Sequence, residues 1–232
     1  MQVYFAGIQE VSSIDYPGKL CSVVFFQGCN LRCRFCYNAD QLGFTNKKPL
    51  NHIFSEITKN LQVINSVMLS GGEPLIHEEA ILKIREWCNN HDLKLGAETN
   101  GTFPTRLQRL MELKAFDFIA MDVKSAFNED DYEKVTGCRR MFPQYMKSFR
   151  LLKNSRVPHE FRLTVTPALH SIENIMAINE EVKPSKLVLQ RFQAGEKVMD
   201  KTLNNVFFPS HFEKRLKMWS SRQKNTEMRF WN

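Results

Sequence analysis

The chain has 232 residues, of which 43% are hydrophobic and 25% are charged. This composition is that of an ordinary globular protein and excludes intrinsically disordered and collagen-like classes. No apolar stretch approaches the roughly 18 residues that a membrane-spanning helix needs, and residues 1–10 lack the pattern of a secretory signal. We therefore expect a cytoplasmic protein with a single domain over residues 1–232.

The formal net charge is +7 at pH 7. Lysine and arginine are spread along the chain, with only short pairs such as Lys47–Lys48 and Arg139–Arg140. This spacing is typical of a solvated basic surface, so it does not by itself predict binding to nucleic acid. The charge is compatible with an acidic protein partner.

Six short apolar runs rich in β-forming residues, each followed by turn residues, predict buried strands. Their nearly continuous apolar character is typical of parallel strands that are covered on both faces. Stretches with helical periodicity lie between them, and a last short strand is expected at 227–231. The six runs are 22–28, 66–72, 94–101, 116–124, 160–167 and 186–192, and the helices lie over 53–64, 80–88, 104–111, 142–149, 172–179 and 212–219.

Strands that alternate with helices form right-handed βαβ units, with a parallel sheet inside and helices outside. Six units are too few for a closed eight-fold barrel, so the sequence predicts an α/β fold with an open partial (β/α)6 barrel. Polar and glycine-rich positions cluster at the carboxyl ends of the predicted strands, which is where parallel sheets bind ligands. We expect one site there, built by all six strands.

Three of the six cysteines, Cys29, Cys33 and Cys36, lie within eight residues directly after the first predicted strand. Closely spaced thiolates in a reducing compartment usually bind zinc or an iron–sulfur cluster. A structural zinc site needs four ligands, and His52 and Cys21 are poorly placed to supply the fourth. Three ligands fit a [4Fe–4S] cluster with one iron left open for a substrate. A zinc-binding or nucleic-acid-binding module is the alternative from another class.

The Cys-x3-Cys-x2-Cys spacing, with Phe35 before the last cysteine, resembles the radical S-adenosylmethionine (SAM) superfamily. Gly71-Gly72-Glu73-Pro74 ends the second predicted strand, at the position of that superfamily's glycine-rich motif. The resemblance implies that the cluster binds SAM and cleaves it reductively, and that a 5′-deoxyadenosyl radical then removes a hydrogen from a substrate. It also implies that Gly71 and Gly72 contact the methionyl amino group of SAM and that Glu73 helps to place it.

Other residues resemble the activating enzymes of glycyl radical enzymes. By that resemblance Lys124 binds the SAM carboxylate, whereas Glu98, Thr99 and Asp122 help to hold a monovalent cation near SAM. Glu98 departs from the pattern, which often has the shorter Asp at this position. Arg162, on the fifth predicted strand, is expected either to point into the barrel toward SAM or a partner's backbone, or to be a paired charge at a strand end.

Four segments narrow the resemblance to the activating protein of anaerobic ribonucleoside-triphosphate reductase. They are 12–18 with its Asp-Tyr-Pro-Gly motif, 26–38 around the cysteines, 98–101, and 120–124 with Ala-Met-Asp-Val-Lys. Tyr37 is a departure, because activating enzymes usually have His after the last cysteine. The resemblance implies a glycyl radical enzyme as partner, which loses a hydrogen from one glycine α-carbon, and an electron donor such as flavodoxin or ferredoxin.

Two alternatives within the superfamily stay open at this point. One is a small-molecule enzyme that resembles 7-carboxy-7-deazaguanine synthase, and the other is an enzyme that modifies a different protein or peptide. A chain this short has little room for a substrate-binding domain. A protein substrate is therefore expected to enter at the open lateral face of the partial barrel.

Overall fold

A computed structural model describes residues 1–231 of the chain, and within them it contains nine β-strands and seven α-helices. The strands are β1 (Gln2–Ser12), β2 (Cys21–Phe26), β3 (Lys47–Pro49), β4 (Ser66–Gly71), β5 (Lys94–Thr99), β6 (Phe118–Asp122), β7 (His159–Val165), β8 (Lys186–Arg191) and β9 (Thr226–Arg229). The helices are α1 (Leu50–Thr58), α2 (Glu78–Asn89), α3 (Pro104–Glu112), α4 (Glu129–Thr136), α5 (Phe142–Lys153), α6 (Ile172–Val182) and α7 (Ser210–Ser220).

All nine strands belong to one sheet, in the order β3-β1-β2-β4-β5-β6-β7-β8-β9. From β2 to β9 every neighbouring pair is parallel, whereas β1 is antiparallel to both β2 and β3. The parallel strands follow one another in chain order, as expected of successive right-handed βαβ units. Because the edge strands β3 and β9 are not paired with each other, the sheet is open, and the predicted α/β partial (β/α)6 barrel is confirmed.

The structure contains three elements that the sequence analysis missed, namely β1, β3 and α4. The burial of β1 is mixed along its length, so it lacks the continuous apolar character by which the parallel strands were found. Helix α4 is highly charged, and only Tyr132, Val135 and Thr136 are buried in it. Helix α1 ends at Thr58, earlier than predicted, because residues 59–63 form a turn before β4.

The two faces of the sheet are covered differently. The face that carries the helices bears the main apolar core. On the inner face the segment 13–19 packs against the amino ends of the strands, where the ring of Tyr16 lies 5.1 Å from that of Phe118. Around this contact a second apolar cluster fills the lower part of the barrel, and its further members are Cys21, Val23, Met68 and Ala120. Open space is thereby left at the carboxyl ends of the strands.

Helices of the described residues are all too short or too polar to cross a lipid bilayer.

Candidate active site

A cavity of about 490 Å³ lies at the carboxyl ends of the parallel strands. Its walls come from the loops that follow β2, β4, β5, β6 and β8 and from the ends of the strands themselves. Nine of the eleven predicted site residues line it, and they are Cys29, Cys33, Cys36, Gly71, Gly72, Glu98, Thr99, Asp122 and Lys124. The other two, Glu73 and Arg162, lie behind its walls.

The cysteine loop (residues 29–36) is held from two sides by backbone hydrogen bonds. On one side the amides of Arg32 and Arg34 donate to the carbonyls of Thr136 (3.1 Å) and Val135 (2.9 Å) at the end of α4. On the other side it contacts the clamp segment (residues 195–200), where the amide of Asp200 donates to the carbonyl of Arg34 at 3.0 Å. These hydrogen bonds join the loop to α4 on one side and to the clamp segment on the other.

The three thiols of this loop face the cavity from a buried or half-buried backbone. Burial raises the pKa of all three, that of Cys33 to about 12, while Lys124 opposes the shift. Ligand binding by thiolates therefore requires the release of protons. In the part of the chain that the structure describes, no three His, Cys, Asp or Glu side chains surround a point that a single metal ion could occupy.

The glycine turn after β4 packs directly on the backbone that leads into the cysteine loop. Gly71 has a φ of +109°, and a Cβ there would lie 2.3 Å from the carbonyl oxygen of Phe26. A Cβ on Gly72 would lie 2.2 Å from the carbonyl oxygen of Gly28. Only glycine permits these approaches. The turn consequently presents bare backbone to the cavity.

Glu73 is completely buried and does not reach the cavity. Its Oε1 accepts hydrogen bonds from the Leu75 amide (3.0 Å) and the Thr99 hydroxyl (2.9 Å), and its Oε2 accepts one from the Asn100 amide (2.7 Å). Burial raises the pKa of this carboxyl to about 7. Glu73 therefore lies behind the cavity wall, where its oxygens join the glycine turn to the end of β5.

Lys124 presents a positive charge to the cavity although its side chain is only 8% exposed. Its Nζ lies 2.6 Å from Oδ2 of Asp122 and 5.5 Å from the centre of the Phe35 ring. Behind it, the buried His170 ring donates from Nε2 to the Lys124 carbonyl oxygen at 3.1 Å. Burial opposes the charge of Lys124, but the neighbouring Asp122 carboxylate raises its pKa above the usual lysine value. The ammonium group is thus fixed and charged.

Glu98 and Arg162 meet inside the barrel, below the cavity. The Glu98 carboxylate accepts a hydrogen bond from Ser70 and forms an ion pair with Nη1 of Arg162. Arg162 is only 2% exposed, and it also donates to Glu160 Oε1 (2.8 Å) and to the carbonyl oxygen of Asp15 (2.7 Å). Arg162 therefore points into the barrel and is at the same time a paired charge, since its donors are occupied by protein groups and it does not line the cavity.

Asn100 is a site residue that the sequence analysis missed. Its Nδ2 lies 3.6 Å from Sγ of Cys29 and 3.1 Å from Oδ1 of Asn30, and it donates to both. The sequence feature that could have identified Asn100 is its position at the end of β5, directly after Thr99. Only the fold shows that this strand end lies beside the cysteine loop.

The outer rim of the cavity was also missed as a unit. It lies on the side of β8 and β9, toward the open edge of the sheet. The rim comprises Tyr37, Gln190, Arg191, Phe192 and Phe230. Tyr37 and Phe230 are 51% and 43% exposed, so the rim offers two aromatic rings to a ligand from outside.

Comparisons with known proteins agree with this geometry. The model of the radical SAM superfamily matches residues 23–180. A protein of Methanocaldococcus jannaschii named as a glycyl-radical enzyme activating enzyme is 31% identical, over 83% of this chain and 81% of its own length. The pyruvate formate-lyase-activating enzyme of Clostridium pasteurianum is 30% identical, over 76% of this chain and 74% of its own length.

A solved structure shows the same fold at low sequence identity. Streptococcus suis SuiB, in the crystal structure with its precursor peptide SuiA, superposes with a TM-score of 0.65 and 17% identity, over 88% of this chain. The match covers 47% of the SuiB chain, so the present chain spans about half of that protein. The family match over more than half of the residues decides the classification. This chain belongs to the radical SAM superfamily.

Proposed function

We propose that this chain cleaves SAM at a [4Fe–4S] cluster and uses the radical to install a glycyl radical on a partner, anaerobic ribonucleoside-triphosphate reductase. The observation that carries the proposal is the single cavity in which three thiols, a bare glycine turn and a fixed ammonium group face one another. As a member of the superfamily the chain is a radical SAM enzyme. The class of substrate is what separates the candidate functions.

The residues around the cavity fit a cluster together with SAM. Cys29, Cys33 and Cys36 would hold the cluster, since three thiols line one cavity and leave part of it to another ligand. When bound, the cluster and SAM supply one-electron transfer and a carbon radical, which no side chain offers. Lys124 would neutralise the carboxylate of SAM, and the turn at Gly71 and Gly72 would lie against the methionyl group.

The other residues of the site hold these groups in place. Glu73 fixes the cavity wall through its three hydrogen bonds. Asn100 donates to the sulfur of Cys29, and hydrogen bonds to cluster sulfurs raise reduction potentials. Apolar side chains of Leu31 and Phe35 line the same cavity and exclude water, which protects a reactive radical.

The size of the cavity supports a substrate that enters from outside. A volume of about 490 Å³ is within the range of a site for one small molecule, and the cluster and SAM would occupy it. A glycine on a partner's loop brings an α-carbon without a side chain, so it needs little further space. The open rim with Tyr37 and Phe230 would admit such a loop from the lateral face.

The choice of partner is supported by similarity. The relatives in Methanocaldococcus jannaschii and Clostridium pasteurianum are both named as activating enzymes, which favours a glycyl radical enzyme. Segments 12–18 and 120–124 resemble the activator of the anaerobic reductase. In the structure Tyr16 belongs to the apolar cluster on the inner face, so part of this likeness reflects packing. We place the reaction in the cytoplasm, with flavodoxin or ferredoxin as the electron donor.

The test is anaerobic and measures two products in one tube. Protein with a reconstituted cluster is reduced and mixed with SAM and the anaerobic reductase from the same source. The electron paramagnetic resonance spectrum and the amount of 5′-deoxyadenosine are then recorded. We expect a glycyl doublet on the reductase, and no deoxyadenosine from a Cys33→Ala variant that shows the same folded circular dichroism spectrum.

Other outcomes would contradict different parts of the proposal. Deoxyadenosine without a doublet would rule out this partner and favour a small-molecule substrate, as in 7-carboxy-7-deazaguanine synthase, or another protein or peptide. If protein with an intact cluster gave neither the glycyl doublet nor 5′-deoxyadenosine, that result would contradict the SAM chemistry of this chain. A colourless protein that binds zinc in place of iron would favour the zinc-binding alternative.

A further inference from the structure

Two carboxylates stand where the resemblance to activating enzymes places a monovalent cation, and both are bound by cationic side chains of this chain. The Glu98 carboxylate is paired with Arg162 and also accepts a hydrogen bond from Ser70. Asp122 Oδ2 lies 2.6 Å from Lys124 Nζ. These carboxylates do not fit a cation site, because each already has an internal counter-ion.

The strand register explains why Arg162 reaches Glu98. Strand β6 lies between β5 and β7, and in it Ala120 is the partner of Glu98 while Asp122 is the partner of Arg162. Side chains at alternate positions share the inner face of the sheet. The small methyl group of Ala120 leaves room for the two long side chains to meet across β6.

The length of Glu98 is essential to this contact. An aspartate at the same position would end one carbon–carbon bond earlier, about 1.5 Å short of the present carboxylate. The contact with Arg162 therefore explains why this chain has Glu98 where the family pattern often has the shorter Asp. Glu98 is the member of the pair that lines the cavity, whereas Arg162 is buried behind it.

The pair belongs to a row of ion pairs that crosses the inner face toward the open edge of the sheet. Each acid in the row contacts a base, and the last base is on β8. In order the members are Glu98, Arg162, Glu160, Arg229, Glu227 and Lys186. Three carboxylates and three cations balance, so this row needs no added ion for neutrality.

We propose that the Arg162 guanidinium takes the place of the monovalent cation, so that SAM binding by this chain does not depend on Na⁺ or K⁺. Arg162 is then a positioning residue, since it acts on SAM through the carboxylate of Glu98. The inference rests on the proposed SAM site, and it is independent of which partner receives the radical.

The test compares salts of different cations at equal ionic strength. SAM affinity of the cluster-loaded protein is measured by calorimetry in KCl, in NaCl and in tetramethylammonium chloride, whose cation is too large for such a site. We expect equal affinity in the three salts. A loss of about tenfold or more in tetramethylammonium chloride, the effect of one charge-assisted contact, would overturn the proposal.

A Glu98→Asp variant tests the role of side-chain length. It should lose the contact with Arg162 and bind SAM about tenfold more weakly in tetramethylammonium chloride than in KCl, because a K⁺ ion can replace the lost partner. Glu227→Asp is the matched control, as it makes the same change at the far end of the row, away from the cavity. A Glu98→Asp variant as indifferent to the cation as Glu227→Asp would contradict the proposal.

A second measurement requires neither the cluster nor SAM. The melting temperature of the apoprotein is followed as tetramethylammonium is exchanged for K⁺, and a rise is expected for Glu98→Asp but not for the wild type. A rise in the wild type would show a cation site and overturn the proposal. Absence of SAM binding in every salt would contradict the proposed function instead, and the melting curves would still decide about the cation.

Discussion

Lys124 combines a charged group with almost complete burial at the cavity wall. Replacement by alanine should weaken SAM binding by about ten- to a hundredfold, the effect of losing one charge-assisted hydrogen bond. The iron content should stay near that of the wild type, since the cluster would be held by the three cysteines and not by Lys124. Calorimetry with SAM and an iron assay on the same samples check this, with the exposed Lys59→Ala as control. Equal losses of iron and of SAM affinity would contradict the role.

Glu73 makes the stability of the protein depend on pH. Its pKa is raised from 4.5 to about 7 by burial, so between these values the folded state holds a proton that the unfolded chain releases. The free energy of unfolding should therefore fall as the pH rises from about 5 to 7, by up to about 3 kcal/mol.

Urea unfolding of the wild type and of Glu73→Gln at several pH values isolates this contribution. The variant should be less stable overall, because an amide cannot accept all three hydrogen bonds. The stability of the wild type relative to the variant should decrease up to pH 7 and then stay level. A relative stability that is constant or increases over this range would show that the carboxyl titrates at its usual value.

At the scale of elements, the cysteine loop depends on two neighbours that the sequence does not mark as functional. The end of α4 and the clamp segment bind its backbone from opposite sides. Tyr37 belongs to this arrangement, since its ring lies so close to Gly195 that a Cβ there would be 3.0 Å from it. Tyr37, which stands where activating enzymes usually have His, thus has a packing role in this chain.

Helix α4 ends at Thr136, and the Gly137 that follows has a φ of +67° and an amide that donates to the Glu133 carbonyl at 2.8 Å. Gly137→Ala should lower the free energy of unfolding by about 1 kcal/mol, because alanine is disfavoured in this conformation. It should also speed the loss of iron to a chelator, since the carbonyls before Gly137 hold the cysteine loop. Gly43→Ala is the control, as a Cβ there meets only Thr45 at 3.7 Å. Equal iron loss in both variants would refute the link between α4 and the cluster.

The sequence predicted the elements that follow strong periodic patterns. Six of the seven parallel strands contain short, largely apolar runs, so they were found within a few residues of their true ends. Strand β1 and helix α4 were missed because each is held by contacts with other elements more than by its own pattern. Local sequence carries little of that information.

At the scale of the whole molecule, the net charge of +7 should act on encounter with a partner and not on the chemistry. Activation of an acidic partner should slow as ionic strength rises, because screening weakens long-range attraction. Formation of 5′-deoxyadenosine without the partner is the control and should be unaffected. Both rates can be measured in one salt series. An activation rate that does not change with salt would show that docking relies on other contacts, such as the aromatic rim.

The residues that form the site were easier to predict from the sequence than the contacts between them. Cysteines, glycines and Lys124 were found because they follow strands whose carboxyl ends share an edge. The pairing of Glu98 with Arg162 joins residues 64 positions apart across an intervening strand, and it depends on the curvature of the sheet. Periodicity identifies the inner face, but it does not show which inner side chains meet.

The contact between Gly72 and Gly28 has a consequence for how this protein can change. The atoms that a Cβ on Gly72 would strike belong to the backbone of Gly28, so a smaller side chain elsewhere cannot make room for it unless that backbone moves. A library of random variants should contain no active member altered at Gly72, even after several rounds with compensating changes. Phe230, an exposed position of the rim, has no such restriction. Selection for a new partner would therefore change the rim and retain the glycine turn.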